Sequence, residues 1–189
     1  MENVKTCVVN RGYDIVEGAA LVRRGDYYCS ICREIQSAAF CVVISSKTSK
    51  AKTIGNLYLE TGIAYGLGKP VIILVESFRY LPSDTIRNFA INCSESDFQT
   101  KFLALIDDVV KLKGFYFDLA ELALDANDYD KAVWYYQESY LISGEKEALN
   151  KLFDLTLKLK KDNQIPPGYK KRLYERAKVF CKNAKFNFT

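Results

Sequence analysis

Asn56 and Glu60 are the residues whose type and spacing best suit chemistry. An amide and a carboxylate four positions apart share one face of a helix, one turn from each other. The chain of 189 residues contains no histidine. That removes the Ser-His-Asp and Cys-His nucleophile systems. Any acid-base or nucleophilic step must then fall to a carboxylate. The same absence excludes mixed Cys/His zinc sites. Cys29 and Cys32 form a CxxC, but no second pair follows at metal-ligand spacing. The register of Ile31 and Ile35 puts both thiols on a helix, where buried structural cysteines are the expectation. Neither a metal nor a cofactor is expected.

Composition sets the frame. Hydrophobic residues make up 49% and charged residues 26%, as in ordinary soluble proteins. No apolar run approaches the length of a membrane span, and the N-terminal residues lack a signal-peptide core. A cytoplasmic protein is expected. The net charge is +4, with Lys47, Lys50 and Lys52 in one stretch and Lys158, Lys160, Lys161, Lys170, Lys171 and Arg172 in two others. These read as solvated surface; nucleic-acid binding wants a denser stripe.

The elements that position Asn56 and Glu60 are two apolar runs and the segment between them. Phe40 to Ser45 and Val71 to Val75 are continuous enough for strands covered on both faces. Ile54 to Leu67 reads as the helix joining them, and Gly68-Lys69-Pro70 as its stop. Ahead of this unit, Val4, Cys7 and Val8 have helical spacing, with Gly12 as a C-terminal stop. Tyr13 to Val16 is a short strand candidate. Tyr27 to Ala38 is a helix, with Asp26 as N-cap. Behind the unit come a turn at Leu81-Pro82-Ser83-Asp84, a short edge-strand candidate at Asn88 to Asn92, and a helix from Ser94 to Lys111 capped by Ser94 or Ser96.

The expected fold is α/β, a mostly parallel sheet in a three-layer sandwich over residues 1–112 that lacks the usual first strand. Val4 to Val9 as that strand would leave too short a crossover. Either the chain begins inside the first helix of a longer domain, or the sheet is reduced or completed by another chain. From Lys113-Gly114 the composition turns to Tyr, Leu and Ala. Residues 113–189 read as an all-α domain with helices at Phe115 to Ala126, Tyr129 to Ser143, Glu145 to Lys160 and Tyr169 to Lys185. Trp134, Tyr135, Tyr136 and Tyr140 read as helix packing.

The first part resembles the nucleoside 2-deoxyribosyltransferase superfamily, with its nucleotide N-glycosidase and TIR-like NAD-cleaving relatives. The carrying residues are Gly12-Tyr13-Asp14-Ile15-Val16, Ile31 and Ile35, Cys41 to Ile44, then Asn56, Glu60, Gly62 and Ala64, then Gly68-Lys69-Pro70-Val71. They span about residues 10 to 111. Family members often carry an aspartate where this chain has Ser45-Ser46. The second part is similar to tetratricopeptide (TPR) helical hairpins through Leu119, Ala120, Ala123, Ala132, Tyr136 and Ser139, which fit one repeat.

The first resemblance implies cleavage or transfer at an N-glycosidic bond. Glu60 would be the catalytic carboxylate, facing the anomeric carbon as oxocarbenium character develops. It would stand one turn into its helix at the carboxyl edge of the sheet. Asn56, Tyr58, Ser45, Ser46, Gly62 and Tyr13 would bind substrate, with Tyr13 and Tyr58 as stacking surfaces for a base. Backbone amides near Ile54 and the Lys47–Lys52 stretch would hold a phosphate. The ligand is then a nucleoside, nucleotide or NAD-type molecule, with a nucleotide or dinucleotide fitting best. The TPR-like helices imply a protein partner, and a homodimer is expected. The rival expectation is a non-catalytic nucleotide sensor or scaffold. A receiver-like domain would need acidic residues at the strand end, where Ser45-Ser46 stand.

Overall fold

The computed structural model describes residues 2–18, 27–46, 51–81, 90–161 and 165–184. Asp26, Lys47, Lys50, Pro82, Ser83 and Asp84, to which the sequence assigns a cap, a loop and a turn, lie outside the described residues. The chain divides into two compact units, Met1–Val109 and Val110–Thr189. No helix among the described residues is long and apolar enough to cross a membrane.

The first unit is α/β. It holds helices α1 (Glu2–Val9), α2 (Tyr27–Ser37) and α3 (Ala51–Gly66), with strands β1 (Cys41–Ser45), β2 (Val71–Val75) and β3 (Ala90–Asn92). The described strands form one parallel sheet in the order β1-β2-β3. β2 is central and buried at all five positions, which is why its sequence is an unbroken apolar run. Alternate residues feed two cores. Ile72, Leu74 and Ile91 pack with Cys7 and Val8 of α1 and with Phe98, Phe102, Ile106 and Val109 of helix α4 (Phe98–Asp125). Val71, Ile73 and Val75 face the other way, toward Ile35 of α2 and Ala64 of α3. The sheet is therefore covered on both faces.

Val4 to Val9 is helical, as its spacing predicts. Other expectations change. Tyr13 to Val16 forms no strand. Gly12 has φ of 82°, and the Tyr13 N–H donates back to the Val8 carbonyl at 3.4 Å, so the segment finishes α1. Val16 is 59% exposed; its apolar character has no sheet face to meet. Cys29 is exposed and Cys32 half-buried, against the expectation of buried thiols. Ile31 is the buried residue of α2, and a position two residues away lies on the far side of a helix.

α4 starts later than expected and runs further. Ser94 and Ser96 lie in turns ahead of it, and the Lys101 N–H donates to the Asp97 carbonyl at 3.1 Å. The helix then continues through Lys113-Gly114 to Asp125, and the boundary between the units falls within it. One exposed glycine costs a helix only about 1 kcal/mol. The Ser139 hydroxyl donates to the Lys113 carbonyl at 3.0 Å, and Lys113 pairs with Glu145. These contacts hold the turn in which Gly114 sits.

The second unit contains, besides the end of α4, helices α5 (Tyr129–Ser143), α6 (Lys146–Lys161) and α7 (Pro167–Asn183). Local signals set the bounds of α5. The Asp128 carboxylate accepts from the Lys131 N–H as N-cap, and Gly144 closes the helix at φ of 68°. Pro167 opens α7 from N1, where a missing N–H costs nothing. Ala120, Ala123, Ala132 and Ala177 let the helices approach, while Tyr136, Leu149, Leu152, Leu159 and Leu173 fill the core. Tyr136 packs as expected, and Tyr140 meets Phe180 edge-on at 5.8 Å.

Candidate functional site

The site is a hollow between β1 and α3 at the carboxyl end of the sheet. Val43 and Ser45 of β1, Ile54, Leu57, Tyr58 and Thr61 of α3, Ile73 of β2, and Leu81 line it. The α3 positions 54, 57, 58 and 61 recur at helical spacing, so one face of the helix forms the wall. The enclosed space is about 10 Å³, room for about one water molecule. The Thr61 hydroxyl donates to the Leu57 carbonyl at 2.7 Å; Ser45 and Tyr58 are the other polar side chains of the lining. Tyr58 is 37% exposed. Its ring can therefore meet a ligand at the mouth.

The structure brings together two of the predicted residues, Ser45 and Tyr58. Ser46 follows directly and is half-buried. Asn56 and Gly62 are exposed on α3 and outside the lining. Tyr13 lies with the α1–α4 core, on the opposite face of the sheet from α3. Its ring meets Phe40 edge-on at 5.1 Å. Burial raises its phenol pKa, with Arg11 opposing and Asp107 assisting.

Glu60 is half-buried and stands away from the hollow. α3 begins at Ala51, so Glu60 is about 14 Å along its axis at 1.5 Å per residue, well past the first turn. A Cβ placed on Gly18 would lie 3.7 Å from Glu60 Oε2. The Glu60 charge also reaches Cys41. That thiol is pushed up to about 11, first by burial, with Lys69 opposing and Glu60 assisting. Cys41 opens β1, whereas Ser45 closes it. Glu60 is thus outside the lining of the hollow, although its neighbour Thr61 belongs to it.

Lys69 is the charged residue that sequence reasoning passed over. It is 3% exposed, immediately before the buried β2. The signal was present in Gly68-Lys69-Pro70, which reads first as a helix stop. Gly68 takes φ of 68°, and the Lys69 N–H donates to the Ala64 carbonyl at 2.9 Å, so the same turn that ends α3 buries the lysine. Among the described residues, no group of three or more Cys, Asp or Glu is placed to hold a metal ion.

No family model, curated protein or solved structure matches this chain. Functional assignment therefore rests on the residues and their placement.

Proposed function

We propose that the α/β unit binds a nucleoside-, nucleotide- or NAD-type ligand at the carboxyl end of β1, with the base against Tyr58 and a polar edge on the Ser45 hydroxyl. The observation that carries this is the Ser45–Tyr58 hollow between β1 and α3. It lies at the strand ends where open parallel sheets bind ligands. On this reading the first unit senses or presents a nucleotide. The helical unit, TPR-like in its buried Ala120, Ala123, Ala132 and Tyr136, engages a protein partner.

A second reading keeps the carboxylate chemistry of an N-glycosidase or deoxyribosyltransferase. It is favoured by Glu60, half-buried with its oxygens against Gly18, where no side chain intrudes. In that reading the ligand extends along α3 from Tyr58 toward Glu60.

Calorimetric titration with NAD, nucleoside monophosphates and deoxynucleosides, each also scored for base release, separates the two. Tyr58→Ala is expected to weaken binding about tenfold, the effect of losing one stacked base. No binding by any member of the panel rejects both readings. Binding without release selects the sensor. Release that disappears in Glu60→Gln while binding persists selects the enzyme.

A further inference from the structure

Five lysines without carboxylate partners among the described residues gather at one end of the helical unit. Other cations of that unit are matched, Lys113 with Glu145, Lys131 with Asp128, Lys151 with Glu121, and Arg172 and Arg176 with Asp130, while Lys146 and Lys182, unpaired like the five, stand singly at the opposite ends of their helices. Lys158, Lys160, Lys161, Lys170 and Lys171 take part in no ion pair with a described residue, although Asp154 and Glu175 stand at i,i+4 spacing from Lys158 and Lys171. The sequence from 158 to 172 carries six basic residues and one acidic. A groove of about 320 Å³ is lined by Lys160 of α6 and by Pro167, Lys170, Lys171 and Tyr174 of α7.

We propose that this groove docks an acidic peptide segment of a partner protein. The claim specifies the partner chemistry of the interaction role given above to the helical unit, and does not depend on what the α/β unit binds. Like charges held around a concavity repel one another and focus a positive potential into it. Carboxylates arriving there relieve the repulsion. The volume is at the low end for ligand sites and exceeds what one small anion fills. Pro167 and Tyr174 supply apolar surface between the charges, which suits a peptide carrying side chains of both kinds.

The details favour carboxylates on a protein over nucleic acid. Lysine ammonium groups are separate point charges, whereas the guanidinium forks that grip phosphate in two places are here both committed to Asp130. The groove offers one aromatic ring, and Lys178 lies 5.8 Å from its centroid. Single-stranded nucleic acid wants successive open rings.

The test uses the full chain and a short fluorescein-labelled oligoglutamate peptide interspersed with leucine, read by anisotropy at about 0.15 M salt. Lys170→Glu/Lys171→Glu is expected to weaken binding about tenfold or more, since both charges reverse at the site. Lys146→Glu/Lys182→Glu makes the same net-charge change at the other ends of α6 and α7 and is expected to shift affinity less than about twofold. Lys170→Gln/Lys171→Gln, with thermal melting as a fold check, replaces the reversal if that variant does not fold. Equal weakening by both pairs would overturn the proposal, because binding would then follow net charge alone. So would tighter binding of an oligothymidylate of matched charge, or displacement of the peptide by equimolar phosphate. Equal binding of a glycine-serine peptide would remove the charge requirement while leaving the protein-interaction role standing.

Discussion

The two units solve burial differently. In the α/β unit the core is almost wholly apolar: β2 contributes five buried aliphatic side chains, and Thr61 and Lys69 are the buried polar residues described there. The helical unit buries Gln137, Glu138, Ser139 and Thr156 and runs a polar link from buried Tyr136 out to its surface. The Tyr136 hydroxyl donates to Glu121 Oε1 at 2.7 Å, and Lys151 Nζ reaches the same oxygen at 2.9 Å. A sheet satisfies its backbone within itself and can keep its faces dry. Helices that cross through small residues leave gaps, which amphipathic side chains fill while their polar tips find partners. Among the described residues no buried side-chain polar atom lacks a partner, as a low-dielectric interior demands.

Substitutions can break this contrast. The largest effect is expected from Ile72→Ala, which opens a cavity in the middle of the dry sheet. Ile72 has no exposed surface, and such truncations cost about 2–5 kcal/mol. Urea unfolding followed by far-ultraviolet circular dichroism measures it. A loss below about 1 kcal/mol would mean that β2 is not the centre of the core.

A smaller effect is expected from Tyr136→Phe in the helical unit. The ring stays packed against Phe117 at 5.6 Å, while Glu121 loses a donor. About 1 kcal/mol is expected, at the low end for a bond to a charged acceptor because Glu121 keeps contact with water. Trp134 fluorescence during denaturation reports this unit. Unchanged stability would show that the link contributes nothing.

The smallest effect is the pH dependence of that link. Glu121 is held below its ordinary value of 4.5, first by the hydrogen bond from Lys151 and then by that from Tyr136. A depressed carboxylate stabilises the fold above its unfolded pKa, and the contribution disappears as pH falls through the folded value. The melting temperature of Lys151→Ala should therefore lie slightly below that of the parent at pH 6 and converge with it in acid. A gap that widens on acidification would contradict the assignment.

How much of this was legible varies with how local the cause is. Asp128, Gly144 and Pro167 fix helix ends within one or two residues, and the VIILV run of β2 can be read directly. The passage of α4 through Gly114 could not be read, because Ser139 and Glu145 hold that turn from later in the chain. Cys29 misled because a CxxC on a helix looks equally apolar whichever side it faces. At the hollow, the structure brings together Ser45 and Tyr58, which the resemblance names. Glu60 lies further into its helix than the spacing suggests, because nothing in the sequence before Ile54 announces that α3 begins at Ala51.

The strand order carries a further consequence, for biosynthesis. Each described strand pairs with its neighbour in sequence, Cys41 with Val71 and Ile73 with Ala90. No described strand waits for one made much later, so these strands can pair in the order in which a ribosome delivers them. α1 is the exception. Its Cys7 and Val8 share a core with Phe102 and Ile106, and Arg11 grips Asp107 through both guanidinium nitrogens. The partners that bury the apolar face of α1 thus lie about a hundred residues further along the chain.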